Sequence, residues 1–547
     1  MKKAKLLLSV LLAVVMVALS VPAAFGAGVV ASGYCGNDPG VNYKNIYWTL
    51  DSDGTLTITG EGPTNYVYDE VDVSWNPYKS SIVSVVVNEG ITSIYDGAFE
   101  ECNSLAEVSL PSTLKSIHSH AFSGCPSLSE IVLPANLVTI EAGAFYSTGL
   151  TSLSIPNKVK SIGNEAFGNC DSLLSVSFGS GLTGLGISAF ANCTSLTAAA
   201  LPEKVTSISE GLFCGCSALT SVTIPSAVTS IEPSAFEGCS SLVNAALPAG
   251  LTSIGTSAFH SCSSLKRVDI PNKVTNIGAY AFSACTALKT ATIGNHVANI
   301  DEQAFSECRS LAALEIPGSV SSIGWRAFAG CAGLKTLTIA DGVASIGDSA
   351  FADCHSLTEV VLPNSVTNLD SGAFSGCSGL KRFTFSDGLT SIPENCLIDC
   401  ASLTDVVIPV GIESVQENAF CGCDHLADVY YKGSQGQWNR ILIAEGNEPL
   451  LRATIHFNYN PTAHTHTPAA AVKENVVPAQ GNRAGSYDEV VYCSGCGAEL
   501  SRTKVTVPPQ DPEQPTNPSD EKPSEKLNIF QRILQWLRNL IAKLLGR

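Results

Sequence analysis

Between about residues 81 and 430 the apolar positions recur as a block rather than with a single helical or strand period. A phenylalanine stands at Phe99, Phe122, Phe145, Phe167, Phe190, Phe213, Phe236, Phe259, Phe282, Phe305, Phe328, Phe351, Phe374 and Phe420, in steps of 23 residues with one step of 22 between Phe145 and Phe167. Leu397 fills the vacant place, which makes fifteen units. One of them, residues 231–253, reads IEPSAFEGCSSLVNAALPAGLTS, and its neighbours keep the frame I-x-x-x-A-F-x-x-C-x-x-L-x-x-x-x-[IL]-P-x-x-[VL]-x-x. The spacing of Leu219, Val222 and Ile224 predicts a strand with Val222 and Ile224 inward and Ser221 and Thr223 outward. Pro225, which cannot donate to a ladder, closes it. Around Ala235 and Phe236 the spacing predicts one turn of helix that buries the ring and leaves Ser234 and Glu237 in solvent.

A unit this short cannot bury its own apolar side, so neighbours must stack and pool their Leu, Ile and Phe positions into one core. The architecture expected is a solenoid, and fifteen stacked strands at about 4.8 Å would give a sheet roughly 70 Å long.

This frame resembles the BspA-type, or treponemal, leucine-rich repeat of bacterial surface proteins, over about two thirds of the chain. The resemblance implies a leucine-rich-repeat solenoid, horseshoe-like and mostly β with short helical turns, capped at both ends. It also implies a secreted or cell-surface protein, often from a host-associated bacterium, and some members of the family are adhesins for host matrix proteins. It names no ligand for this chain, because a fold is not a function.

Fourteen of the 20 cysteines occupy one place in the frame, three residues after the phenylalanine and three before the leucine, from Cys102 and Cys125 through Cys170 to Cys423; Thr148 holds that place in the short unit. A nucleophile is needed once, so a position used fourteen times is read as a small core residue whose S–H meets the backbone at the turn. Parallel side chains in successive coils do not favour the disulfide dihedral near 90°, and free thiols are expected. Cys214, Cys396 and Cys421 stand off the frame, and the offset of Cys396 and Cys421 leaves a bridge between them open.

The stack needs caps, since its end coils would otherwise expose apolar surface and strand edges. In residues 27–80, YWTLDSDGTLTITG predicts a hairpin with Trp48 and Leu50 on one arm, Leu56 and Ile58 on the other and Asp53-Gly54 at the turn. Residues 431–460 resemble the family's closing segment. Tyr430, just before this segment, and Tyr431 and Trp438 within it could seal the stack or offer a carbohydrate platform.

Composition supports a folded chain, because only 15% of it is charged and 45% is hydrophobic. A formal charge of −18 makes a nucleic acid an unsuitable partner for the body. Residues 1–26 fit an export signal, with Lys2, Lys3 and Lys5 ahead of an apolar run from Leu6 to Leu19 and Ala24-Phe25-Gly26 at the cleavage point.

Beyond the repeats, residues 461–507 carry His464 and His466 at one end and Cys493-Ser494-Gly495-Cys496-Gly497 at the other. Two histidines and two cysteines could complete a tetrahedral zinc site, while the CxxC pair could equally form a disulfide, remain as structural thiols or serve redox chemistry. The segment resembles a short bacterial surface module that commonly carries a further cysteine upstream of GSYDE; here PAQGNRAGSYDE has none. Residues 508–525, rich in Pro, Asp and Glu, read as an extended spacer. In residues 526–547 the pattern predicts a basic amphipathic helix with Phe530, Ile533, Leu534, Leu537, Leu540, Ile541, Leu544 and Leu545 on its apolar side, and with Trp536 among the residues expected to meet a membrane. Lys526, Arg532, Arg538, Lys543 and Arg547 suit such a helix lying in an anionic membrane interface, or docking on a partner or a second copy.

Acid–base catalysis needs paired carboxylates or an oriented histidine in one pocket, and the frame supplies neither, so no enzyme and no obligatory cofactor are expected. Glu107 and Glu130 stack on an open face without the burial that tunes a catalytic pair. Outward strand positions are mostly small and uncharged, but Lys266, Arg267, Lys289, Lys335, Lys381 and Arg382 recur in the later units as a basic stripe that Asp269 and Glu315 partly neutralise. It is read either as a solvated face or as the place for an acidic ligand. The resulting expectation is an interaction module for an extracellular protein or glycan; the alternative is an envelope protein whose solenoid serves only as a spacer.

Overall fold

The structure, a computed structural model, describes residues 28–36, 45–64, 75–460, 472–477, 484–492 and 499–507. It divides into two compact units, residues 1–459 and 460–547. The first is a parallel β-solenoid with two strands in most coils, such as Ser221–Thr223 and Ser230–Ile231. Both pair in register with the same positions one repeat away, Ala198 with Ser221 and Ser230 with Ser253. Because the offset equals the sequence period, each inward side chain meets its own counterpart above and below. Val222, Ile231, Phe236 and Cys239 are all buried, while Ser221 and Thr223 face solvent.

From Phe99 to Phe374 the phenylalanine rings form an unbroken column, stacked for example at 5.2 Å and 2° between Phe145 and Phe167 and at 5.9 Å and 24° between Phe190 and Phe213. Where Leu397 interrupts the column, Phe383 in a strand and Phe385 just past its end supply the missing aromatic volume. Phe383 packs edge-on against Phe374 at 5.0 Å, and Phe385 reaches Phe420 at 6.4 Å.

The segment around each phenylalanine is a run of hydrogen-bonded turns, not the turn of helix that its spacing suggested. The residues two before and two after the ring lie in the left-handed region, as at Ser234 (φ 54°) and Gly238 (φ 72°), and Glu165 (φ 53°) and Asn169 (φ 56°). A left-handed residue on either side of the ring breaks a helix after one turn and divides the backbone donors into two sets. Ala98, Glu100 and Cys102 donate to the carbonyl three residues back, whereas Gly97, Phe99 and Glu101 donate across to Ser119, Ala121 and Ser123 of the next coil. The turns thus add a third ladder of inter-coil hydrogen bonds.

The cysteine column lies just past this ladder. Each column thiol from Cys125 onward donates to the carbonyl of the ring position one coil back, 26 residues upstream, or 25 for Cys170 across the short unit, for example Cys285 Sγ to Phe259 O at 3.2 Å, and Thr148 Oγ1 fills the gap with a 2.9 Å bond to Phe145 O. All the described cysteines are free, Cys396 and Cys421 included. Burial pushes the Cys285 and Cys331 thiols up to about 12. Iodoacetamide at pH 8 should therefore leave the fourteen column thiols unmodified in the native protein and alkylate all of them after unfolding without reductant. Mass spectrometry counts the adducts, and a deficit in the unfolded sample would reveal cystines.

At the N-terminal end, strands Val29–Tyr34, Ile46–Asp51 and Thr55–Gly60 form an antiparallel meander, and the third runs parallel to Ser84–Val87 of the first coil. Gly54 makes the hairpin turn at φ 81°, where Asp51 Oδ1 accepts the N–H groups of Asp53 and Thr55. Trp75 starts the aromatic column, lying 5.3 Å from Phe99 and nearly parallel to it, and its indole N–H donates to Ala98 O at 2.6 Å. At the other end the closing segment adds a sixteenth coil. Leu442–Ile443 pairs with Ser414–Val415, Thr454–His456 pairs with Asp428–Tyr431, and buried Tyr431 packs on Trp438 at 5.2 Å. Tyr431 and Trp438 therefore seal the stack, and only Tyr430 of that trio lies on the strand face, against His456 and Tyr459.

In the second unit, Val472–Val477, Gly485–Tyr492 and Glu499–Val507 make an antiparallel three-stranded sheet. Asp488 and Arg502 pair across two of its strands at 3.2 Å.

Candidate functional site

The longer strand of each coil contributes to one face, and the two-residue side-chain period sets what that face displays. Over Ser152–Ser154, Ser175–Ser177, Ala198–Ala200 and Ser221–Thr223 the outward residues are small and uncharged. From Lys266 onward the same columns carry Arg267, Asp269, Glu315, Glu359, Arg382 and Asp405, and the last coils add Asp428 and His456.

The six basic residues expected to form a stripe do share this face, in two neighbouring columns. Lys289 N donates to Lys266 O at 2.9 Å, which places these two lysines in adjacent coils, and Lys335 and Lys381 hold the same column further along, bonded to Ala312 and Thr358. Arg267 and Arg382 sit one residue later, inside the strands. Their charges are engaged. Arg267 Nε lies 2.7 Å from Asp269 Oδ2, and Arg382 approaches Asp405 at 3.9 Å. Among the described residues none of the four lysines is in an ion pair, so the positive potential of the stripe rests on Lys266, Lys289, Lys335 and Lys381.

Lys335 also stands at a break in the sheet. Thr336–Ile339 ends a seven-stranded run and Glu359–Val361 begins the next one of five. The carbonyls of Lys266, Lys289 and Ala312 each accept an N–H from the following coil, but no such bond joins Lys335 to Thr358. At this break lies a cleft of about 700 Å³, with Lys335, Glu359 and Asp341 as its charged lining and Leu337, Ile339 and Leu362 as apolar lining. Val361, 56% exposed, stands at its edge. Spacing alone missed the cleft, although it left a signal: Val361 occupies an outward column that carries Thr292, Glu315, Thr338 and Thr384 in nearby coils.

Cys493, Cys496, His464 and His466 lie outside the described residues. So do Phe530, Ile533, Leu534, Trp536, Leu537, Leu540, Ile541 and Leu544. Among the described residues no helix is long and apolar enough to cross a membrane.

Comparison with known proteins agrees with this geometry. The BspA type leucine-rich repeat region matches in six copies over residues 77–197, 183–312 and 298–427, more than half of the chain. A leucine-rich repeat protein from Bacteroides ovatus has a similar structure, at 23% identity and a TM-score of 0.53 over 76% of this chain and 98% of that one. A leucine rich cell surface protein from Faecalibacterium prausnitzii aligns at 26% identity and a TM-score of 0.33 over 73% of this chain and 96% of that one. No curated protein matches the sequence. The repeat frame, the in-register coils and the family match together place this chain in the BspA-type leucine-rich-repeat family.

Proposed function

We propose that the protein is exported and binds an extracellular protein or glycan on the strand face between Lys266 and Arg382, with the cleft beside Lys335 as the anchoring point. The observation that carries this reading is the change along one regular face. Coils that share a backbone differ in what they display, from Ser and Ala near Ser152 to unpaired lysines, carboxylates and a cleft beyond Lys266. A scaffold that only spaced its ends would have no use for that gradient. Concave, partly apolar clefts with a few convergent polar groups are where ligands are usually held, and repeat solenoids bind along their extended faces. The net charge of −18 makes the lysine column a local exception, suited to a ligand whose own charge is negative. The N-terminal basic and apolar run supports export, and the basic amphipathic pattern of residues 526–547 supports attachment to an anionic membrane surface.

The test is binding of the full chain to a panel of host matrix proteins and bacterial glycans, compared with a Lys335→Glu/Lys381→Glu variant. The parent should retain at least one member of the panel, more weakly as salt rises, and the variant should bind it at least tenfold less well. Equal retention by the two proteins would remove the lysine column from the site, and no retention of any panel member would favour the spacer role.

A further inference from the structure

We propose that Asp96, His118 and Glu141 form a binding site for a divalent transition-metal ion, at the corner where the short strand of the first three coils meets the turn segment. The three side chains come from successive coils, and each offers one ligand atom; these atoms all lie within 4.8 Å of one another. Ligand atoms held about 2.1 Å from one ion stand about 3.0 Å apart at a right angle and about 3.4 Å apart at a tetrahedral angle. His118 Nδ1 and Glu141 Oε1 are already 3.0 Å apart. One oxygen of Asp96 accepts the Ser119 N–H at 2.9 Å, which leaves its second oxygen to turn toward the ion.

The ladder holds the site in place. His118 N donates to Ile94 O and Glu141 N to Ile117 O, both at 3.0 Å, so two of the ligand residues hang from fixed backbone. Ser119 Oγ donates to Glu141 Oε2 at 3.3 Å, the kind of outer contact that orients a ligating carboxylate. A neutral imidazole and two carboxylates balance a divalent charge, and this donor set suits zinc and its neighbours better than calcium. The side chains are only partly exposed at His118 and Glu141, while Asp96 is open to solvent, which gives an ion a way in.

The same place in the frame shows that the cluster is not a by-product of the repeat. Four residues before the buried ring, six other coils carry glycine: Gly163, Gly186, Gly255, Gly278, Gly324 and Gly347. Glu232, Asp301 and Asp370 occur there singly, with no histidine or carboxylate at that place in the adjacent coils. His118 and Glu141 alone place two metal-ligating side chains next to each other in this column, and Asp96 completes the set from the coil before.

Zinc chloride titrated calorimetrically into the reduced full-length chain should fill one site more per chain than in His118→Ala, and Glu141→Gln should weaken that site at least tenfold. Zinc taken up by the Cys493 and Cys496 module contributes equally to all three proteins and cancels in the comparison. With metal removed by EDTA the variants should melt at the parent temperature, and added zinc should raise the melting temperature of the parent but not of His118→Ala. Equal stoichiometry and an equal zinc-induced shift in parent and His118→Ala would overturn the site. Should His118→Ala melt lower in EDTA, Glu141→Gln, which keeps the side-chain volume, decides by the same two readouts.

Discussion

Phe259→Ala should destabilise the solenoid by about 3–5 kcal/mol, the usual cost of removing a fully buried ring. The ring stacks on Phe236 at 5.1 Å and on Phe282 at 5.3 Å, so its loss opens a cavity and removes two aromatic contacts together. Equilibrium urea unfolding measures the change. Because each coil touches only its neighbours, the broken contact should also divide the stack, and the transition should broaden or split in two. An unmoved midpoint would mean that this ring does not carry the core.

The second large effect is an alkaline limit set by the thiol column. Up to about pH 7 an exposed thiol, like a buried one, is almost wholly protonated, and the column adds no pH dependence. Above it an exposed thiol ionises, while burial holds Cys285 and Cys331 in the neutral form up to about 12. The unfolded chain then binds fewer protons than the folded one, so stability falls as pH rises. Each such thiol removes about 1.4 kcal/mol per pH unit across that window. The melting temperature should stay level from pH 6 to 7, begin to fall near pH 8 and drop steeply beyond pH 9. A Cys285→Ala/Cys308→Ala/Cys331→Ala variant should start lower and fall less steeply. A parent profile flat to pH 11 would show that the buried thiols ionise without cost.

The period, the rings, the thiols and the Asp53-Gly54 hairpin are legible in the sequence because each rests on a side-chain type repeated at a fixed interval. Backbone conformation was less visible. The left-handed places hold Gly, Asn and Asp in some coils, which would have signalled them, but Tyr280, Arg326 and Gln303 occupy them in others. There the inter-coil hydrogen bond, not residue preference, fixes φ. Trp75 escaped notice because its place in the column is set by folding back of the cap, not by the repeat interval. The lysine column was readable from spacing, whereas the cleft depends on a lost pairing between two particular coils. The Asp96, His118 and Glu141 cluster hides in plain sight, since the ligands stand 22 and 23 residues apart and only the stacking brings them together.

The coincidence of sequence period and ladder register has a consequence for how such a gene can change. Recombination between misaligned repeats adds or removes whole units, and every hydrogen bond, ring and thiol then finds an equivalent partner across the junction. Length becomes adjustable without refolding the rest. An event out of phase meets a penalty at once, and the step from Phe145 to Phe167 records one that was absorbed: a residue is missing from the turn, and Thr148 stands in the place of the thiol with its hydroxyl 3.2 Å from Cys170 Sγ. Copy number and face composition can therefore diverge separately, one by exchange between repeats and the other by point substitution at outward positions such as Lys335 and Val361.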